Sequence, residues 1–297
     1  MQASFNSKHT TSSVLAWLAL TLLLTASCKK EATPTPDNNM PPFYSLPQGN
    51  HPYDNQIMDF YKKYGSYILY KFDKGDYTWN LTSSFNLYAT QADESKLPDA
   101  LNFMFDYIFA NYSENSLKKL LPYKIILPGA LYTLNPAADG KLDTLWSSPV
   151  LVNNGFNFVT LAVADTITKM TPDTKKLLRA NVNFFLWKRA LSQQAIEYPA
   201  GFTSLINYSG ANPGTYKDYG MLGMFPLFTQ NQSWWTPVED MLYYIREITS
   251  KTSAQFASTY LTPAADPKGL VKKKYDMITT YYKTRYGLDL QAMGDSQ

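Results

Sequence analysis

The chain has 297 residues, 45% apolar and 17% charged, with a formal net charge of +3 at pH 7. That length accommodates one large or two small domains in a folded protein. A charge so small, with no concentrated basic patch, gives no basis for nucleic-acid binding. Aromatic residues reach 15%, with 23 tyrosines, an excess that core packing and a binding surface explain equally well.

Lys8 precedes an apolar run from Val14 to Ala26, VLAWLALTLLLTA, too short for a permanent membrane span. It ends in Leu24-Thr25-Ala26-Ser27-Cys28, which resembles a bacterial lipobox relaxed at Thr25. Residues 1–27 are therefore expected to be a lipoprotein signal peptide, with Cys28 lipidated and the remainder outside the cytoplasm; an ordinary secretory signal beside a chance cysteine is the alternative. Cys28 is the only cysteine, so no disulfide within the chain is possible. Lys29 in place of Asp resembles lipoproteins sorted to the outer membrane, facing either the periplasm or the medium. Residues 28–50 carry Pro34, Pro36, Pro41, Pro42 and Pro47 without hydrophobic periodicity, and read as a semi-stiff tether.

The folded part is expected over residues 51–297. Tyr53–Tyr64 reads as a helix closed by Gly65. Ser66–Phe72 and Tyr77–Thr82, around the DKGD turn, read as a β-hairpin. Asp73 and Asp76 form either a cation site or, more simply, part of a solvated turn. Pro98 opens a second helix with Leu101, Phe105, Ile108 and Phe109 on its apolar side. Ser116 and Lys119 have the S-x-x-K spacing of some acyl-transferring enzymes, but the companion motifs are missing. Tyr123–Leu127 and Phe156–Val163 read as buried strands.

Thr171-Pro172-Asp173 then opens a long helix as an N-cap, a first-turn proline and a carboxylate at the positive end of the dipole. Leu178, Val182, Phe185 and Leu186 recur at helical spacing, with Leu177, Phe184 and Leu191 alongside. Lys175, Lys176 and Arg179 are expected on the opposite face. Short helices and strands followed by a long helix give an α+β order. Past Pro199 the chain is loop-rich as far as Trp235. Trp234 and Trp235 either pack beneath a loop or stand exposed as a stacking platform for sugars. Thr236-Pro237-Val238-Glu239 fits a capping box. Asp266-Pro267 is expected to start the last long helix, with Leu270, Val271, Tyr275, Ile278 and Tyr282 as its stripe and Lys272–Lys274 as its solvated face.

Leu186 to Phe202, LWKRALSQQAIEYPAGF, resembles the active-site helix of a family of Bacteroidetes lipoproteins read as zinc metallopeptidases associated with substrate import. Their helix carries roughly H-E-F-x-H-I-L-H-Q, then Tyr-Pro and Phe. Counted back from Tyr198-Pro199, Leu186 stands at the first zinc His, Trp187 at the catalytic Glu and Ala190 at the second His. Three further stretches resemble the family in order. Tyr64–Phe72 matches its first strand, Val238-Glu239-Asp240-Met241 its E-D-F-A-E segment, and Lys283–Met293 its W-G-I-D-L-D-x-L-R ending; Gly223–Thr229 is a weaker echo. The resemblance implies a zincin-like frame with a long central helix, a small mixed sheet and a helical C-terminal half. It also implies an acidic metal ligand at Glu239 or Asp240, against the cap reading of Glu239.

The chemistry of that family needs two imidazoles on one helix face with a carboxylate as base, and Leu186, Trp187 and Ala190 supply none of these. The chain has two histidines, His9 and His51, and His9 leaves with the signal peptide. No two-histidine zinc site can be built in one chain, so neither a metal nor another cofactor is expected. Serine–histidine chemistry would depend on His51, whose default is a solvent-exposed side chain.

Two functional readings follow. In one, the protein is a non-catalytic relative of the peptidases, an outer-membrane lipoprotein that binds a peptide, a glycan or importer components, with an apolar cleft lined by Leu186, Trp187 and Ala190. In the other it is a hydrolase using Glu239, Asp240 or Glu197 without metal; Glu239 and Asp240, as neighbours on a helix, point in divergent directions.

Overall fold

Helix α1 (Pro52–Tyr64) starts on a proline, carries Asp54 in its first turn and ends on Gly65, whose φ of 67° is the left-handed cap the sequence anticipates. A computed structural model describes residues 43–79, 86–136, 142–223 and 236–296; Cys28, the signal segment, Trp234 and Trp235 lie outside them. The fold is α+β. Residues 44–297 cluster as one unit, so the stretch expected to be tether as far as Asn50 joins the body from Tyr44 onward. Gln48 fixes it there. Its side-chain oxygen accepts from the Tyr70 N–H at 2.8 Å, and its amide donates to the Lys71 carbonyl at 2.6 Å.

The expected hairpin after α1 does not form. β1 (Tyr67–Leu69) pairs in parallel with β3 (Lys124–Ile126), far along the chain. The DKGD turn instead opens a short helix, α2 (Lys74–Thr78), through a capping box between Asp73 and Asp76. Tyr77, expected in the second strand, points from α2 into a small core with Phe72, Ile126, Leu131 and Phe158. All three β1 residues are buried, the continuous apolar run of a covered strand rather than a hairpin's alternation.

A parallel pair needs a long crossover. This one contains α2, β2 (Leu87–Thr90), α3 (Leu97–Asn102) with a wider-wound continuation to Ile108, and α4 (Glu114–Leu120). The Pro98 helix is present as expected, while α4 occupies what reads in sequence as a polar connection. β2 joins β4 (Ala130–Pro136) and β5 (Leu142–Pro149) in an antiparallel sheet. The other sheet continues from β3 to β7 (Phe158–Leu161), with β6 (Val152–Asn154) at its edge, in the order β1-β3-β7-β6. Gly129, after Pro128, lets the chain pass into β4, because a side chain there would meet the Asp165 carboxylate and the Gln91 carbonyl.

The C-terminal half is helical: α5 (Pro172–Ser192), α6 (Pro237–Ser250), α7 (Ser253–Tyr260), α8 (Leu270–Tyr286) and α9 (Leu290–Asp295). α5 packs along α6, and α9 crosses α6 at Gly294, where a Cβ would strike the carbonyls of Ile248 and Lys251. α8 begins later than Asp266-Pro267 suggests. Asp266 still caps it, its carboxylate accepting from the Val271 and Lys272 N–H groups at 2.9 Å each.

Two expectations about exposure are overturned. Arg179, assigned to the solvated face of α5, is 1% exposed, whereas Leu177 is 45% exposed. Lys274, assigned to a solvated run, is completely buried. Each follows from helical spacing: Arg179 lies four residues from Asn183 and eight from Trp187, and Lys274 lies between Val271 and Ile278 on the inward stripe.

Candidate functional site

The middle of α5 carries Leu186, Trp187 and Ala190, the three positions the sequence resemblance singles out. The helix starts as its sequence dictates, with the Thr171 hydroxyl accepting from the Thr174 N–H at 3.2 Å. No proline or glycine interrupts it before Ser192. Leu186 is 1% exposed, and Trp187 and Ala190 are fully buried. All three belong to the main core rather than to an exposed apolar surface. The reason is visible at Trp187. Its indole packs edge-on against Tyr282 with centroids 4.5 Å apart, and its N–H donates to the Tyr112 hydroxyl at 3.2 Å. A side chain of that volume fills the space a smaller residue would leave.

A polar ridge missed in the sequence runs along the same helix. Tyr112, fed by Trp187, donates in turn to the Asn183 side-chain oxygen at 3.0 Å. One turn earlier, the Arg179 guanidinium lies 4.4 Å from the centre of the Tyr107 ring. It donates to the Ser296 hydroxyl at 2.9 Å. Burial lowers the pKa of Arg179 and raises that of the Tyr112 hydroxyl. The spacing Arg179, Asn183, Trp187 was the available signal, but three unlike residue types do not read as one stripe.

α6 presents the two acidic residues. Glu239 is occupied by the cap: the Thr236 N–H donates to its carboxylate at 3.2 Å, and its own N–H donates to the Thr236 hydroxyl at 3.3 Å. Asp240 points the other way, into the protein, at 1% exposure. Its Oδ2 accepts from Lys274 Nζ at 2.6 Å and from the Tyr208 hydroxyl at 2.8 Å. Lys274 also donates to the Tyr219 carbonyl at 2.9 Å, and the rings of Phe202, Tyr208 and Tyr244 surround its ammonium at 5.7 to 5.9 Å. Burial pushes the Asp240 carboxyl up and the Lys274 ammonium down, each opposed by the other's charge.

These residues do not fit zinc. Leucine and alanine have no donor atom, and the indole nitrogen is a hydrogen donor only. The remaining carboxylate of the set already holds an ammonium ion. Among the described residues, no group of three or more His, Cys, Asp or Glu is placed to hold a metal.

The other candidates lie apart. His51 sits at the start of α1, exposed, stacked on Tyr53 and 2.6 Å from the Glu94 carboxylate. Asp76 is neither a cation ligand nor simply solvated: Lys124 Nζ donates to it at 2.7 Å, and the Tyr44 hydroxyl donates to the same oxygen. Ser116 shares a hydrogen bond with Ser113 at 2.8 Å and donates to the Tyr286 carbonyl at 3.3 Å. Lys119 makes no hydrogen bond to Ser116 among the described residues, so the S-x-x-K spacing does not produce an activated hydroxyl. Glu197 is on the exposed loop after α5.

No family model matches the chain. No curated protein matches it either. Among solved structures, the fold is similar to a candidate zinc-binding metallo-peptidase from Bacteroides caccae, at 14% identity and a TM-score of 0.49, covering 82% of this chain and 88% of that one. A likeness so distant assigns no role to any residue of this chain.

Proposed function

We propose that the protein is a non-catalytic relative of zinc metallopeptidases that acts by binding, held to the outer membrane through a lipid on Cys28. In this reading it is an accessory component of a nutrient-import system, and its partners are a peptide, a glycan or the importer itself. The sequence resemblance supplies the kinship. One observation carries the inactivity: the buried Asp240 carboxylate, the acidic remnant of the motif, is paired with the buried ammonium of Lys274. An internal cation there offsets the charge a divalent metal would need, and Oδ2 is already taken by Lys274 and Tyr208. Leu186, Trp187 and Ala190 support the same reading, because hydrocarbon and indole replace both histidine ligands and the base.

The test is metal analysis of purified protein together with turnover assays on casein and mixed glycans. The expected outcome is substoichiometric zinc and no turnover; one zinc per chain, or measurable hydrolysis, would overturn the proposal.

A further inference from the structure

Where the C-terminal ends of α5 and α8 meet the start of α4, a cavity of about 390 Å³ opens to solvent. That volume is within the range of small-molecule sites, roughly 300 to 1,000 Å³. Its lining is polar. Lys119 and Arg285 enter it flanking Tyr286, with their cationic groups 6.0 and 5.9 Å from that ring's centre. Neither cation has an ion-pair partner among the described residues, and the side-chain amides of Asn115 and Gln194 have no hydrogen-bond partner there either. Glu197 also lines the cavity, its carboxylate held only by a long 3.4 Å contact from the Tyr281 hydroxyl.

Gln194 adds an independent observation. Its φ of 56° makes it the one non-glycine residue in the left-handed region among those described. It lies two residues past the end of α5, after the C-cap Gln193, and its N–H donates to the Leu191 carbonyl at 3.1 Å. Glycine is the usual occupant of such a position, because a Cβ is strained there. A glutamine at a strained position, with its amide lining a cavity, is accounted for if the side chain is used by something the chain itself does not contain.

We propose that this cavity binds a small carboxylate ligand. Arg285 and Lys119 hold the carboxylate, and the Asn115 and Gln194 amides take the polar groups beside it. Glu197 accepts from a hydroxyl or an ammonium across the cavity. Two unpaired cations against one carboxylate leave the site with a net positive charge, and bidentate recognition of a carboxylate is what a guanidinium does best. A sugar acid and the carboxyl end of a short peptide both present this chemistry. The proposal deepens the binding reading above, on which it rests for its biological purpose; its chemistry rests on this cavity alone.

The mature protein is titrated calorimetrically with galacturonate, alanyl-alanine and, as the uncharged control, galactose. At least one of the two carboxylates is expected to bind and galactose to fail, and which one binds names the source. Arg285→Ala, a change at an exposed residue, is expected to weaken binding at least tenfold with the thermal midpoint unchanged. Gln194→Gly is expected to raise the thermal midpoint while weakening binding, a combination that a purely structural role does not give. The proposal is overturned if neither carboxylate binds at millimolar concentration, if galactose binds equally, or if Arg285→Ala leaves affinity intact. Unchanged affinity in Gln194→Gly removes Gln194 from the site. None of these failures touches the absence of catalysis, which is read from zinc content and turnover.

Discussion

Lys274 Nζ lies 2.6 Å from Asp240 Oδ2, and neither side chain is more than 1% exposed. Desolvating two such charges costs several kcal/mol each, which their attraction and the Tyr208 and Tyr219 hydrogen bonds offset. Removing one partner strands the other. Lys274→Met and Asp240→Leu are each expected to lower unfolding stability by about 3 to 5 kcal/mol, the cost of an unpaired buried charge. The double variant, with no charge left to bury, is expected to be more stable than either single one. Urea unfolding of the four proteins checks this; a double variant as unstable as the sum of the singles would show that the two residues act separately.

Trp187 ties α5 to Tyr112 and Tyr282. Trp187→Phe removes the indole N–H but leaves Tyr112 its bond to Asn183, and is expected to cost about 1 to 2 kcal/mol in lost volume and hydrogen bonding. Trp187→Glu is expected to cost more than about 4 kcal/mol, because it places a carboxylate at a fully buried position. Urea midpoints and zinc content decide the matter: a folded Trp187→Glu protein with one bound zinc would contradict the account of this helix as solid core.

Where the sequence carried a local signal, the structure follows it. Thr171-Pro172-Asp173, the Thr236–Glu239 capping box and Gly65 all sit where they were expected, because capping is decided within four residues. The structure departs from the local pattern where distant partners decide. Tyr67–Leu69 reads locally as half of a hairpin because its neighbour, Lys124–Ile126, lies more than fifty residues away. Lys274 reads as solvated because lysine usually is, although its place between Val271 and Ile278 puts it on the buried stripe. Its carboxylate partner, Asp240, lies on another helix and left no mark in the local pattern. The surroundings of Trp187 are likewise set by other elements: Tyr112 accepts from its indole N–H and Tyr282 packs edge-on against it.

The contact between Tyr44 and α2 is expected to respond to pH through Asp76. Burial raises the Asp76 carboxyl pKa, but hydrogen bonds from Lys124, from Tyr44 and from the Asp73 N–H outweigh that and leave it below the usual carboxylate range. A carboxyl depressed in the folded state adds stability above its unfolded pKa, near 4. That contribution is lost as pH falls through the lower folded value. The wild-type thermal midpoint is therefore expected to fall from about pH 4 downward. Asp76→Asn is expected to begin about 2 kcal/mol less stable at pH 7, from the loss of charge-assisted hydrogen bonds, and to show a flatter decline over the acidic interval. Parallel melting curves of the two proteins from pH 7 to pH 3 are the check; equal slopes would remove Asp76 from the acid response.

Arg179 is a buried guanidinium with no carboxylate partner among the described residues. What it has instead are the Tyr107 face, the Ser296 hydroxyl at 2.9 Å, and the carbonyls of Thr249 and Ser296 at 3.4 Å each. It therefore joins α5 to the end of α6 and to the residue after α9. A lysine cannot stack on Tyr107 and also span both groups of acceptors, because it lacks the planar fork. Arg179→Lys is expected to cost about 2 kcal/mol despite keeping the charge, since it loses stacking and leaves acceptors unpaired. Deleting residues 296–297 removes the same partners from the other side. If the guanidinium is what holds that end of the chain, the deletion and Arg179→Lys share one interaction, and their combined cost falls short of the sum by about 1 kcal/mol or more. A urea-denaturation cycle over the four proteins measures this directly: strict additivity would mean that the C-terminal segment is held by its own packing and that Arg179 serves only Tyr107.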